Sequence, residues 1–173
     1  QSRMRLTQEQ AVTAIAAVAD SADSHFTVYY DQFMPALKQV LSSTSGQKEL
    51  RRLRGKVMEC ISLIGLSVGR EKFGGDAADV MNILVSTTNE QTQDDADDPQ
   101  SFYLMQAYAR ICRCLKEDFI QYLPHVMPRV LAAASQKPEI DVLDALDDDE
   151  NGADDEEGYE TIKIGDKRIG IRT

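Results

Sequence analysis

Residues 50–68 read LRRLRGKVMECISLIGLSV, with Leu50, Leu53, Val57, Ile61, Ile64 and Val68 at spacings of 3, 4, 4, 3 and 4. On a helix of 3.6 residues per turn these positions form one stripe, so the pattern predicts a helix over 49–68. The same rhythm continues on both sides. Phe26, Tyr30, Phe33, Leu37 and Val40 follow at 4, 3, 4 and 3 and predict a helix over 27–41. Leu104, Tyr108, Ile111 and Leu115 follow at 4, 3 and 4 and predict one over 100–116. Weaker stripes predict helices over 7–19, 76–86 and 121–134. No strand alternation of comparable strength occurs before residue 159.

The helices form copies of one unit. Phe26, Phe73 and Phe119 are each followed eight residues later by Met34, Met81 and Met127. An apolar residue precedes each Met (Phe33, Val80, Val126), and another stands three residues after it (Leu37, Leu84, Val130). The copies are 47 and then 46 residues apart. Helix pairs with a period of about 40–47 residues are the signature of HEAT or armadillo repeats. The expected architecture is therefore all-α: a HEAT-repeat α-solenoid of antiparallel helix pairs in a right-handed superhelical stack. About three repeats cover 1–135, approximately 6–41, 49–86 and 100–134. One such pair cannot bury its apolar face alone, so copies must stack, and the stack curves to give a concave binding surface. Pro35 and Pro128 share one repeat position, where Asn82 stands in the middle copy. Each marks either a helix interrupted by proline or one that begins near it. Gly74-Gly75 reads as a helix stop.

Charge is concentrated at the C-terminal end. Of 29 acidic residues, ten lie between Asp141 and Glu157 with no base among them, which leaves 19 acids against 19 bases elsewhere. The net charge of -10 therefore resides in one run. A second acidic cluster, Glu90, Asp94, Asp95, Asp97 and Asp98, precedes Pro99. Like-charge blocks are solvated loops or, alternatively, surfaces for basic partners. Tyr159, Ile162, Ile164, Ile169 and Ile171 flank Gly165-Asp166, a pattern that fits a short hairpin at 159–171 or an extended tail. Residues 136–173 are read as an acidic, mostly flexible insertion between helices. The first residue is not Met and the terminal copies have apolar edges, so the chain is expected to be a piece of a longer protein.

Several functions find no support. The acidic balance argues against general nucleic-acid binding, which needs a basic stripe. No apolar run approaches the ~20 residues of a membrane span, and the polar start QSRMRL is not a signal peptide. Cys60, Cys112 and Cys114 read as packing cysteines of a reducing compartment rather than a disulfide framework. Asp147, Asp149, Asn151 and Gly152 mimic part of a calcium loop, but Gly158 stands where the bidentate Glu is required and Asp154 where an apolar residue is usual. Gly55-Lys56 lacks the following Ser or Thr of a P-loop. His25 and His125 stand a whole repeat apart, and no nucleophile–base spacing appears. No catalytic residue, cofactor or metal site is assigned. The basic cluster Lys48, Arg51, Arg52, Arg54 and Lys56 is a solvated face, a bridge to acids of the preceding copy, or a contact for an acidic partner or the acidic run itself.

Four strings carry a family likeness: YYDQFMPALKQVL (29–41), KELRRLRGKVMECISLIGLSVGREKF (48–73), YLPHVMPRVL (122–131) and GYETIKIGDKRIGIRT (158–173). They resemble the importin-beta superfamily, most narrowly its beta-3 branch, from about Leu6 to Thr173. The most specific parts are LRGKVMECISLIGLSVG and the closing GYE-x-I-x-x-GD-x-x-x-x-GIRT. The resemblance implies a nuclear transport receptor that shuttles between cytoplasm and nucleus. Such receptors carry basic cargo, including ribosomal proteins and histones, bind phenylalanine-glycine nucleoporins, and release cargo to Ran-GTP. The Ran and nucleoporin contacts are implied for the full-length receptor, and no Ran-contacting residue is transferred. No nucleic acid or membrane partner is implied.

In that superfamily the second helix of each copy lines the concave face. The resemblance therefore points to Asp31, Gln32, Gln39, Asp76, Asp79, Asn82 and Gln121 as cargo contacts. The acidic runs add Asp94, Asp95, Asp97, Asp98, Asp147, Asp148, Asp149, Glu150, Asp154, Asp155, Glu156 and Glu157. Exposed carboxylate–lysine pairs contribute only ~0.2–1 kcal/mol each, so many must act together. The rival readings are a HEAT-repeat scaffold subunit and an acidic chaperone of basic proteins.

Overall fold

The computed structural model describes residues 2–89, 99–135, 139–143, 159–164 and 167–172. Six helices make up the first part: α1 Ser2–Ala22, α2 Thr27–Ser43, α3 Arg51–Val68, α4 Arg70–Asn89, α5 Pro99–Leu115 and α6 Leu123–Ala134. They follow one another along the chain, and α3 packs against α4. Short 3-10 turns at Asp23–Phe26, Lys48–Leu50 and Lys116–Tyr122 join some of them.

Within Gln1–Val130, the first helices form one layer in which α3 packs against α1 on one side and α5 on the other. Helix α4 also packs against α2. Two glycines let neighbours approach α3 closely, Gly55 admitting α5 and Gly65 admitting α4. A Cβ on Gly55 would stand 3.1 Å from Cγ of Tyr103, and one on Gly65 would stand 3.0 Å from the Phe73 ring. A single core runs from Ala16 to Val126 and includes the repeat phenylalanines Phe26, Phe73 and Phe119. Met34 and Met81 are fully buried, whereas Met127 is 40% exposed. Among the described residues no later helix follows α6 to cover it.

The break inside each copy places a positive-φ residue a few positions before the repeat phenylalanine. Asp23 and Lys116, each three residues before its repeat phenylalanine, have φ of 51° and 53°. Gly69, four residues before Phe73, has φ 80° and ends α3 with its N–H on the Gly65 carbonyl. Left-handed backbone reverses the chain without a longer loop. It costs an L-residue such as Lys116 about 1 kcal/mol, a cost that glycine escapes.

This corrects the expectation for Gly74-Gly75, which lie inside α4 and stop nothing. One further correction concerns an element boundary, and one open alternative is resolved. Helix α6 begins at Leu123, so Gln121 belongs to the preceding 3-10 turn rather than to a second helix. Both Pro35 and Pro128 lie within helices that run through them, so neither marks a helix start.

The segment Leu131–Thr173 forms a separate unit. Strands β1 Glu139–Leu143, β2 Tyr159–Ile164 and β3 Lys167–Arg172 make an antiparallel sheet in the order β1-β3-β2. Ile169 is the register partner of both Val142 and Ile162, and Ile171 of Ile140. Of the stretch 159–171, which fits a hairpin or a tail, the described residues 159–164 and 167–171 lie in two paired antiparallel strands. Strand β1 lies before residue 159, where the sequence shows no strand alternation comparable to the helical stripes. The alternation in EIDVL is real but only five residues long, too short to stand out beside the helical stripes.

Candidate functional site

The expected partner-binding face is the surface of the second helices. On α2, Asp31, Gln32 and Gln39 are exposed, as are Asp79 and Asn82 on α4. Asp76 is only partly accessible. Helical periodicity places Asp76 and Asp79 one turn apart on the side of α4 that meets α2.

The structure neutralises three of these carboxylates from within. Lys38 on α2 donates from Nζ to Asp76 Oδ1 at 2.5 Å and to Asp79 Oδ2 at 3.1 Å. The Tyr30 hydroxyl donates to Asp76 Oδ2 at 2.7 Å. Lys72 on α4 reaches back to Asp31, 2.8 Å from both carboxylate oxygens, and its ammonium lies 5.2 Å from the Tyr30 ring centre. Beside this network a shallow open groove of about 360 Å³ is lined by Lys38, Gln39, Ser42, Asp79, Asn82 and Ile83.

The electrostatics follow from these contacts. Partial burial opposes ionisation of Asp76, but the hydrogen bonds from Lys38 and Tyr30 outweigh it and hold the carboxyl below its ordinary range. The hydrogen bond to Asp76 raises the Lys38 ammonium above its usual value. Burial, then the bond to Asp76, pushes the Tyr30 phenol up. Lysine and aspartate are therefore both charged throughout the neutral range.

The remaining expected residues fall elsewhere. Gln121 lies in the 3-10 turn, where its Nε2 donates to the Asp118 carbonyl at 3.0 Å. Asp94, Asp95, Asp97 and Asp98 lie outside the described residues, as do Asp147, Asp148, Asp149, Glu150, Asp154, Asp155, Glu156 and Glu157.

The basic cluster at the start of α3 divides into separate roles. Arg52 Nε meets Glu9 Oε2 of the preceding copy at 3.3 Å. Lys56 pairs with Glu59 at 3.2 Å and lies over the Tyr103 ring. Arg54 is 4% exposed, so it is no surface contact. Its guanidinium donates to the Thr44 carbonyl and, at 2.6 Å, to Oε1 of the buried Gln100.

The sequence reading overlooked Lys38 and Lys72, and took Tyr30 only as part of an apolar stripe and Arg54 only as part of a basic cluster. The missed signal is the repeat itself. Tyr30–Asp76, Arg54–Gln100, Ser62–Arg110 and Gly65–Cys114 are contacts between residues 46, 46, 48 and 49 apart. Complementary groups one period apart stand on the same face of neighbouring copies.

The family model described as "Importin subunit beta-1-like, TPR repeats" matches residues 1–148. The chain belongs to the importin-beta family. This family chain is 37% identical to importin subunit beta-3 of Saccharomyces cerevisiae over its whole length, which is 15% of that protein. It is 34% identical to a probable importin-5 homolog of Dictyostelium discoideum over 84% of the chain and 13% of the relative. The crystal structure of Kap121p bound to Pho4p matches with a TM-score of 0.71 at 36% identity, over 96% of this chain and 15% of that one. The structure of Kap121p bound to RanGTP matches with a TM-score of 0.63 at 33% identity, over 95% and 15%. The chain thus spans about a seventh of the proteins it matches, and its helical part is an all-α importin-type HEAT solenoid segment.

Proposed function

We infer that this chain is a segment of a nuclear import receptor whose second helices contribute to holding a basic, lysine-rich nuclear localisation segment of cargo. The observation that carries the reading is the 37% identity to an importin subunit beta-3 along the entire chain. The carboxylates of α2 and α4 and the uncharged amides of Gln39 and Asn82 beside them supply acceptors for lysine and for extended main chain. The whole receptor would carry cargo such as ribosomal proteins or histones through the nuclear pore by way of phenylalanine-glycine nucleoporins. It would shuttle between cytoplasm and nucleus and yield its cargo to Ran-GTP. The chain acts in this by binding, and no residue is assigned to catalysis.

The test is a titration of a lysine-rich import-signal peptide against the chain at low and physiological salt. A parallel titration uses a variant with the eight acids from Asp147 to Glu157 changed to Asn or Gln. Binding that survives both neutralisation and salt, and weakens in Asp76→Asn/Asp79→Asn, is the expected result. Binding that vanishes with the acidic run and fades with salt would instead favour an acidic chaperone of basic proteins. No binding in any arm would leave a HEAT scaffold role.

A further inference from the structure

The seat that the proposed function offers to a partner's lysine already holds one. Lys38 Nζ, on α2, stands 2.5 Å from Asp76 Oδ1 and 3.1 Å from Asp79 Oδ2 on α4. A primary ammonium has three donors, and two of them are used on this pair of carboxylates. Asp79 is 69% exposed, so the seat is open to solvent on its side. Lys38 also lines the groove together with Gln39 and Asn82, whose amide oxygens accept from the same kind of donor. A basic segment lying in the groove therefore meets acceptors and, among them, a cation that repels it.

Exchange of one ammonium for another requires no movement of the helices. Both second helices are anchored by buried apolar side chains, including Met34 and Leu37 on α2 and Val80 and Met81 on α4. The Lys38 side chain alone has to swing away. Being tethered, it competes as though present at roughly millimolar concentration or more, so a stray external lysine does not displace it. We propose that Lys38 is a built-in competitor for basic ligands, which lowers the affinity of this face and with it the tolerance of weakly basic segments. A segment with several cations overcomes it, because each one held raises the local concentration of the next. That the ligand is a cargo segment rests on the function inferred above; that Lys38 shuts an external cation out of the Asp76–Asp79 seat does not.

Calorimetric titrations of the whole chain test this with two probes, a lysine-rich peptide and spermine, a polyamine that carries no import signal. Lys38→Met keeps an apolar stem and removes the charge. It is expected to tighten both probes by roughly two- to thirtyfold, the range spanned by two exposed ion pairs. Lys38→Arg should return the affinities toward those of the parent. The gain should disappear when Lys38→Met is built on Asp76→Asn/Asp79→Asn; a gain that persists there reflects net charge alone and overturns the proposal. So does a Lys38→Met chain that binds neither probe more tightly than the parent. Tighter spermine binding with no peptide binding in any variant would sustain the competitor and count against the cargo reading alone. A measurement on the parent is independent of how the variants fold. Trace acetylation with acetic anhydride compares Lys38 with the exposed Lys48, and saturating spermine should raise the ratio of Lys38 to Lys48 labelling as the ammonium is released. An unchanged ratio would overturn the competitor.

Discussion

Asp76 illustrates how a surface carboxylate becomes structural. Burial alone would favour its neutral form, yet the ammonium of Lys38 and the hydroxyl of Tyr30 hold it ionised. A carboxyl with a depressed folded-state pKa adds stability that is complete above its ordinary value of 3.8 and drains away as pH falls through the folded value. Lys38 is shifted upward, so its share is complete below 10.5 and is lost only as pH rises beyond it. Asp76→Asn should therefore lower the urea midpoint at neutral pH, with the difference from the parent closing as pH falls below the ordinary value of 3.8. A gap that persists unchanged to the acid end would show that the substitution disturbs packing instead. Arg54 carries the opposite lesson. A buried guanidinium is tolerable only when its donors are engaged, and here it fastens the turn after α2 to the beginning of α5. Its place beside the apolar stripe, immediately after Leu53, gives no hint of burial until the helices are packed. Burial also pushes the Cys60 thiol up to about 12, in keeping with a packing role read from its apolar surroundings.

At the scale of elements, glycine separates the positions that need space from those that do not. Gly55 and Gly65 lie in helix α3, where glycine costs about 1 kcal/mol relative to alanine. Each is kept there because an aromatic ring from a neighbouring helix occupies the place of its Cβ. Gly55→Ala should destabilise the chain, since overpacking of about 1–3 kcal/mol exceeds the helical gain. Gly74→Ala, with nothing within 4 Å of the added methyl, should stabilise it by about 0.5–1 kcal/mol. Thermal midpoints of the two variants check both signs, and stabilisation by Gly55→Ala would refute the account of the packing. Gly69 is different again, because φ 80° with ψ 172° is a conformation open essentially to glycine alone. All these glycines look alike in the sequence. Gly74-Gly75 invites the reading of a stop because a doublet is the stronger local punctuation, but it is the single Gly69 that takes the positive-φ conformation and ends α3.

For the molecule as a whole, the core of Gln1–Val130 is continuous from α1 to α6, and α3 is shared by all three copies through its contacts with α1, α4 and α5. Neighbouring copies that share this much buried surface should unfold together. The chain has no Trp, so far-ultraviolet circular dichroism and tyrosine fluorescence are the natural probes. Their thermal transitions are expected to coincide, and two separated transitions within the helical signal would show that the copies unfold one by one.

The sequence by itself determined the helix pairs, their period of about 47 residues and the apolar core. Helical stripes and repeated Phe and Met columns are local or periodic signals, and hydrophobic burial follows them directly. It also carried the family likeness, because the stretch around Gly55 and Gly65 records packing constraints residue by residue. The tertiary structure alone decided which charges are free. Asp31, Asp76 and Asp79 look like open acceptors along the chain, but stacking brings Lys38 and Lys72 to them across some forty residues of sequence. Charge has no periodicity of its own on a solvated helix face. Its partners are set by which faces meet, and that is fixed only when the copies close on one another.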